Sequence, residues 1–233
     1  AIALNIDVTG VQDGDSASIT ISDIPAGATL SAGTVNEDGS VTLTPAELEG
    51  LTITPAGDSD ADFILSVAVT TTDGQSGDTS TVTDTLDVTV DAVADAPTLS
   101  VDAASGSEDT AITLDISSAL TDTDGSETLS VEISGIPEGA VLTADGEAVT
   151  VTDGVATLTP AQLANLTITP PANSSDDFNL TVTATSTDGS DTATTTATLP
   201  VSVTGVADAA TLSVEAASGS EDTAITLDIS SAL

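Results

Sequence analysis

The sequence predicts an all-β protein built from tandem antiparallel β-sandwich domains. Three observations carry this. Residues 94–120, ADAPTLSVDAASGSEDTAITLDISSAL, return at 207–233 as ADAATLSVEAASGSEDTAITLDISSAL, differing only where Pro97 becomes Ala210 and Asp102 becomes Glu215. Apolar residues alternate with polar ones, the period of half-buried strands. Asp-Gly and Pro-Glu-Gly clusters break the alternation about every 8–14 residues, the signature of a sandwich.

The repeat extends along the whole chain. ISDIPAGATL at 21–30 answers ISGIPEGAVL at 133–142, and 41–74 answers 156–189. A period of roughly 110–115 residues is the size of a domain, whereas a solenoid repeat runs nearer 20–45. The expected organisation is a first repeat at 1–91 lacking its first strand, a complete repeat at 95–205, and the first two strands of a third at 208–233.

The elements of the complete repeat follow in order. TLSV sets strand A within 97–102. Ile112, Leu114 and Ile116 alternate in strand B at 111–117, and Leu129, Val131 and Ile133 in strand C at 128–134. Strands D and E are expected near 140–143 and 154–158. Phe178, Leu180, Val182 and Ala184 alternate in strand F at 177–186, and Ala197, Leu199, Val201 and Val203 in strand G at 193–204. Thr and Val dominate, as pleated strands prefer. Between E and F, Thr159 can cap one helical turn with Pro160 first in it, and Leu163, Leu166 and Ile168 then close the base of the core. Pro200 implies an edge or a bulge in strand G. Phe63 and Phe178, the only aromatics, fall at matching apolar positions and read as core.

Composition narrows the function. The chain has 38 acidic residues and no Lys, Arg or His, a formal charge of −38. Without cations it cannot hold phosphates, which excludes nucleic acid as a partner and makes anionic lipid surfaces an unsuitable one. No Cys means no disulfide, thiol chemistry or thiolate metal site, and no His removes the commonest general base. No apolar run is long enough for a transmembrane helix. Carboxylate pairs occur without any nucleophile, base or positive clamp beside them, so no catalytic set is found and the chain is not expected to be an enzyme. Sequons at Asn165, Asn173 and Asn179 are matches that so Thr-rich a chain produces by chance.

The carboxylates do have positions. In a seven-strand sandwich the linker before strand A, the B–C loop and the F–G loop share one end. The linker VADAP carries Asp95, the B–C loop TDTDGSE carries Asp122, Asp124 and Glu127, and the F–G loop STDGSD carries Asp188 and Asp191. The A–B loop GSEDT puts Glu108 and Asp109 at the other end, toward the next repeat. Carboxylates converging at about 4 Å repel by roughly 1 kcal/mol even in water. With no Lys or Arg to pair them, the natural counter-ion is a hard divalent cation. Ca²⁺, with about six to eight oxygen ligands, suits them better than Mg²⁺, which demands a tight octahedron. Asp38–Gly39, Asp145–Gly146 and Asp153–Gly154 read instead as turns.

This string of motifs, from VADAPTLSV through GSEDTAI and DGSE to LTPAQLA, LTITPP and ATSTDG, resembles the tandem Ig-like or cadherin-like extender repeats of giant bacterial adhesins secreted by type I systems, the RTX adhesins. The resemblance covers nearly the whole chain. It implies a secreted rod at the cell surface or in the biofilm matrix, used for attachment and rigidified by Ca²⁺ where repeats meet. Its ligand positions map onto Asp95 and Asp208, onto Glu108, Asp109, Glu221 and Asp222, and onto Asp122 and Asp124. The first repeat departs from the pattern, with VQDGDS in place of TDTDGSE. Asp13, Asp15 and Asp73 stand at its corresponding loops. The expected partners are neighbouring repeats of the same chain, read as a window on a longer array. The alternative is a self-assembling filament or surface layer of identical subunits joined head to tail, with 208–233 donated as strands.

Overall fold

The structure, a computed structural model, describes residues 1–232; the last residue of the expected third repeat, Leu233, lies outside the described residues. Its regular secondary structure is almost entirely β-strand, with two short 3₁₀ turns, and the expected antiparallel sandwich class holds. Contacts divide the chain into two compact units. The first comprises Ala1–Thr98, Ala119–Leu129 and Thr185–Thr195; the second comprises Leu99–Ser118, Ser130–Ala184 and the residues from Thr196 on.

In the first unit the strands are β1 (Ile2–Ala3), β2 (Ser16–Ser22), β3 (Thr29–Leu30), β4 (Thr34–Val35), β5 (Val41–Leu43), β6 (Thr52–Thr54), β7 (Phe63–Thr72) and β8 (Thr79–Val88). One sheet runs β4-β5-β2-β7-β8 and the other β1-β6-β3. Alternation places Ile19, Ile21, Leu43, Ile53 and Leu65 in one core, all essentially inaccessible to solvent. β7 and β8 form a long antiparallel hairpin, from Phe63 opposite Val88 to Thr72 opposite Thr79. Asp73 closes it, because its Oδ1 accepts the N–H groups of Gln75 and Ser76 in an Asx turn. A short 3₁₀ turn at Pro45–Leu48 is fixed by the Glu47 carboxylate, which accepts the Thr44 N–H at 2.7 Å.

The following strands are β9 (Thr98–Val101), β10 (Ala104–Ser107), β11 (Ile112–Thr113), β12 (Ile116–Ala119), β13 (Thr128–Ser134), β14 (Val141–Ala144), β15 (Glu147–Ala148), β16 (Val155–Leu158), β17 (Leu166–Thr169), β18 (Phe178–Asp188), β19 (Asp191–Thr204), β20 (Thr211–Val214) and β21 (Ile229–Ala232). The larger sheets run β10-β19-β18-β13-β16 and β11-β17-β14-β15, and β12-β9 and β20-β21 are separate two-stranded pairs. Val131, Ile133, Leu142, Leu158, Leu166, Ile168, Leu180 and Leu199 fill the core of the second unit. The 3₁₀ turn at Pro160–Leu163 stands where expected, with the Gln162 side chain accepting the Thr159 N–H at 2.9 Å.

Three details differ from the expectations. Strand B is two short pieces, β11 and β12, which pair with different neighbours. Residues 166–169, expected only to cap the core, form β17 and pair with both β11 and β14. β10 was not expected at all: it pairs in parallel with β19, from Ala104 opposite Val201 to Ser107 opposite Thr204. Pro200 lies just before that stretch, so its missing N–H falls outside the parallel ladder. The two phenylalanines are half-buried, and Phe63 packs on the margin of its core.

Candidate metal centre

The linker at 94–97 is held by hydrogen bonds to both expected loops, all within the first unit. Asp95 donates its N–H to Glu127 Oε1 at 2.6 Å. Ala94 donates to Asp191 Oδ2 at 3.1 Å, and the Asp95 and Ala96 carbonyls accept from Ser186 and Thr121 hydroxyls. The linker, the B–C loop and the F–G loop therefore do converge.

The B–C loop is built by its own aspartates. Asp122 Oδ1 accepts the Asp124 N–H at 2.8 Å, and Asp124 Oδ1 accepts the N–H and hydroxyl of Ser126. Gly125, at φ +105°, supplies the left-handed residue this tight turn requires. The loop thus holds Asp122 and Glu127 in buried positions, 3 % and 7 % exposed, with Asp188 at 4 % beside them.

Carboxylate oxygens of Asp58, Asp95 and Asp122 lie within 4.8 Å of one another. Two oxygens on opposite sides of a Ca²⁺ ion span about 5 Å, so these three fit around one ion. Asp58 was not among the residues singled out from the sequence. It sits in the loop between β6 and β7 at φ +59°. Its counterpart in the second repeat is Asn173, also left-handed at φ +55°. The signal present was the density of acids in 57-GDSDAD-62.

Two further facts bear on a cation. Glu127 Oε2 is buried with no hydrogen-bond partner among the described residues. Leaving a buried polar atom unsatisfied costs roughly 1–3 kcal/mol, more when it is charged. Asp188 has its carboxyl pushed above the ordinary aspartate value, first by burial, then by the charges of Asp60, Asp124 and Asp122. By contrast, hydrogen bonds from Ser126 hold Asp124 below that value.

The other expected ligands stand apart from this set. Asp13 and Asp15 flank a turn before β2, and Asp15 Oδ1 meets the Gly74 N–H at 3.4 Å. The Asp73 carboxylate is held below its ordinary value by the same N–H groups that close its turn. Glu108 is buried at 8 % and accepts the Val206 N–H at 2.7 Å; Asp109 accepts the Asn173 N–H at 3.1 Å. Asp208, Glu221 and Asp222 are exposed. Asp222 adopts φ +62°, matching Asp109 at +60°.

No family model and no curated protein matches the chain. Among solved structures it is similar to domains 1–6 of the surface layer protein SbsC, at 15 % identity and TM-score 0.30, over 93 % of this chain and 28 % of that one. It is similar to chicken VE-cadherin EC1-2, at 13 % identity and TM-score 0.26, over 85 % and 88 % of the two chains. An endo-fucoidan hydrolase of glycoside hydrolase family 107 is matched at 14 % identity and TM-score 0.27, over 94 % and 34 %. The chain thus spans well under half of the surface-layer and hydrolase structures, and likenesses of this size decide nothing about activity. No helix among the described residues is long and apolar enough to cross a membrane.

Proposed function

We propose that the chain is a structural segment of an extracellular rod of β-sandwich repeats, an extender of a bacterial surface adhesin, whose linkers are stiffened by Ca²⁺. The observation that carries this reading is the site around the linker. Asp58, Asp95 and Asp122 converge, the buried Glu127 keeps one oxygen unpaired beside the linker N–H it accepts, and the chain contains no cationic side chain to neutralise them. A cation shared by these residues links a loop of the first repeat, the linker and a loop of the second, so binding and linker stiffness are coupled. Ca²⁺ fits the all-oxygen donor set. Glu108 supports the same role at the next linker, where it accepts the Val206 N–H.

Isothermal titration with Ca²⁺ and Mg²⁺, paired with small-angle scattering, tests this. Saturable Ca²⁺ binding, weaker Mg²⁺ binding and a narrowed spread of dimensions with Ca²⁺ support it. Absence of Ca²⁺ binding at millimolar concentrations overturns it.

A further inference from the structure

A repeat within a rod takes up force where the chain enters it and where the chain leaves it. In the second repeat the chain enters through β9 and β10 and leaves through β19. β10 lies parallel to the last stretch of β19, from Ala104 opposite Val201 to Ser107 opposite Thr204. The pairing continues past both strands. Glu108 donates its N–H to Thr204 O at 3.0 Å, and its Oε1 accepts the Val206 N–H at 2.7 Å. From another side, Asp177 Oδ1 accepts the Val203 N–H at 2.7 Å and the Ser202 hydroxyl at 3.1 Å. Gly106 lets β10 lie where it does, because a Cβ there would meet Ile112 Cγ1 at 2.6 Å. Of the four residues of β10 only Ala104 is buried, so this strand contributes backbone bonds more than core.

The direction of the two strands decides how they part under force. A pull along the chain draws β10 back toward its N-terminus and β19 forward toward its C-terminus. Parallel strands drawn this way slide against each other, so the bonds between them resist together. Strands pulled apart from one shared end lose their bonds one at a time. A single hydrogen bond adds little net stability, so sharing the force is what makes a short ladder strong. We propose that β10 and the end of β19, extended by Glu108, form a mechanical clamp that keeps the second repeat folded when the chain is pulled lengthwise. The clamp rests on the reading of the chain as a segment of a rod and adds force resistance to it. It needs no Ca²⁺, since its bonds run between protein groups.

Single-molecule pulling of the 233-residue chain in chelator tests this. The chain has no cysteine, so the double variant Ala111→Cys/Val206→Cys offers one defined pair of handles. Ala111 is exposed and Val206 is 53 % exposed. They follow β10 and β19 at the same end of the pair, so force between them peels the ladder from that end. The same variant is pulled once by its chain ends and once by its cysteines, at equal loading rate, because forced unfolding is governed by the unfolding rate. End to end, the second repeat is identified by the release of roughly 350 Å of chain between Thr98 and Thr204. Its unfolding force in that direction should exceed the force across the cysteines at least about twofold. Equal forces in the two directions, or a lower force end to end, would overturn the clamp. Chelator separates this outcome from the rod reading: a failed clamp leaves Ca²⁺ binding at the linker untouched, and a failed Ca²⁺ titration leaves the directional contrast to be read as before.

Discussion

Glu127 accepts the backbone N–H of Asp95 at 2.6 Å with one carboxylate oxygen and leaves the other buried and unpartnered. At the next linker Glu108 accepts the N–H of Val206 at 2.7 Å. The first linker is thus held by a glutamate from the B–C loop of the repeat after it, and the second by a glutamate from the A–B loop of the repeat before it. The first grip to test is that of Glu127. In chelator, Glu127→Gln should be at least as stable as wild type, because it removes a buried charge with an unpaired oxygen. With Ca²⁺ present it should gain less than wild type. Paired thermal melts check this, and an equal Ca²⁺ gain in the variant would remove Glu127 from the site.

Asp188 gives a pH signature. Its folded carboxyl is raised, so the native state binds a proton more readily than the unfolded chain. Stability from this group is present at low pH and is lost as pH rises from about the ordinary value of 3.8 through the folded value. Asp188→Asn should therefore stabilise the metal-free protein at neutral pH, with the advantage vanishing near pH 3–4. Asp38 and Glu47 act in the opposite sense, since hydrogen bonds from Ser40 and Thr44 hold them low, and their contribution is lost on acidification. Melts of variant and wild type across pH isolate Asp188; a variant less stable at pH 7 in chelator would refute the assignment.

Asp58 distinguishes a shared centre from scattered acids. Asp58→Asn removes one of three converging carboxylates and should weaken Ca²⁺ at least about tenfold, roughly 1.4 kcal/mol. Asp13→Asn, outside that set, should leave affinity unchanged. Titration calorimetry on both variants reads the contrast.

Gly135 tests the sandwich itself. It sits at φ +79°, and an added Cβ would meet the Asn179 carbonyl oxygen at 2.8 Å. Gly135→Ala should destabilise by roughly 1–3 kcal/mol through strain and the clash with backbone. Urea unfolding measures it.

Strand C was legible because Leu129, Val131 and Ile133 alternate without interruption, and β13 spans Thr128–Ser134 as expected. β10 was not legible, because ASGS has no apolar alternation: it is held by backbone pairing to β19, and Gly106 leaves no room for a side chain beside Ile112. β17 hid behind the helical turn, whose capping pattern drew the whole stretch into one reading. At the candidate site, convergence of Asp95 with the Asp122–Glu127 loop followed from strand order. Asp58 did not, since no strand-order argument brings a loop of one repeat to the linker of the next. The short-range use of Asp73 and Asp124 in their own turns was likewise invisible to charge counting.

The central claim is that a divalent cation joins Asp58, Asp95 and Asp122 and stabilises the linker between repeats. Calorimetric melting of the 233-residue chain in chelator and in Ca²⁺ tests it most directly. At about a hundredfold excess over Kd, Ca²⁺ should add roughly 2.7 kcal/mol, raising the melting temperature by about 5–10 °C, with the gain largely lost in Asp58→Asn/Asp122→Asn. An identical melting temperature in chelator and in millimolar Ca²⁺ would contradict it.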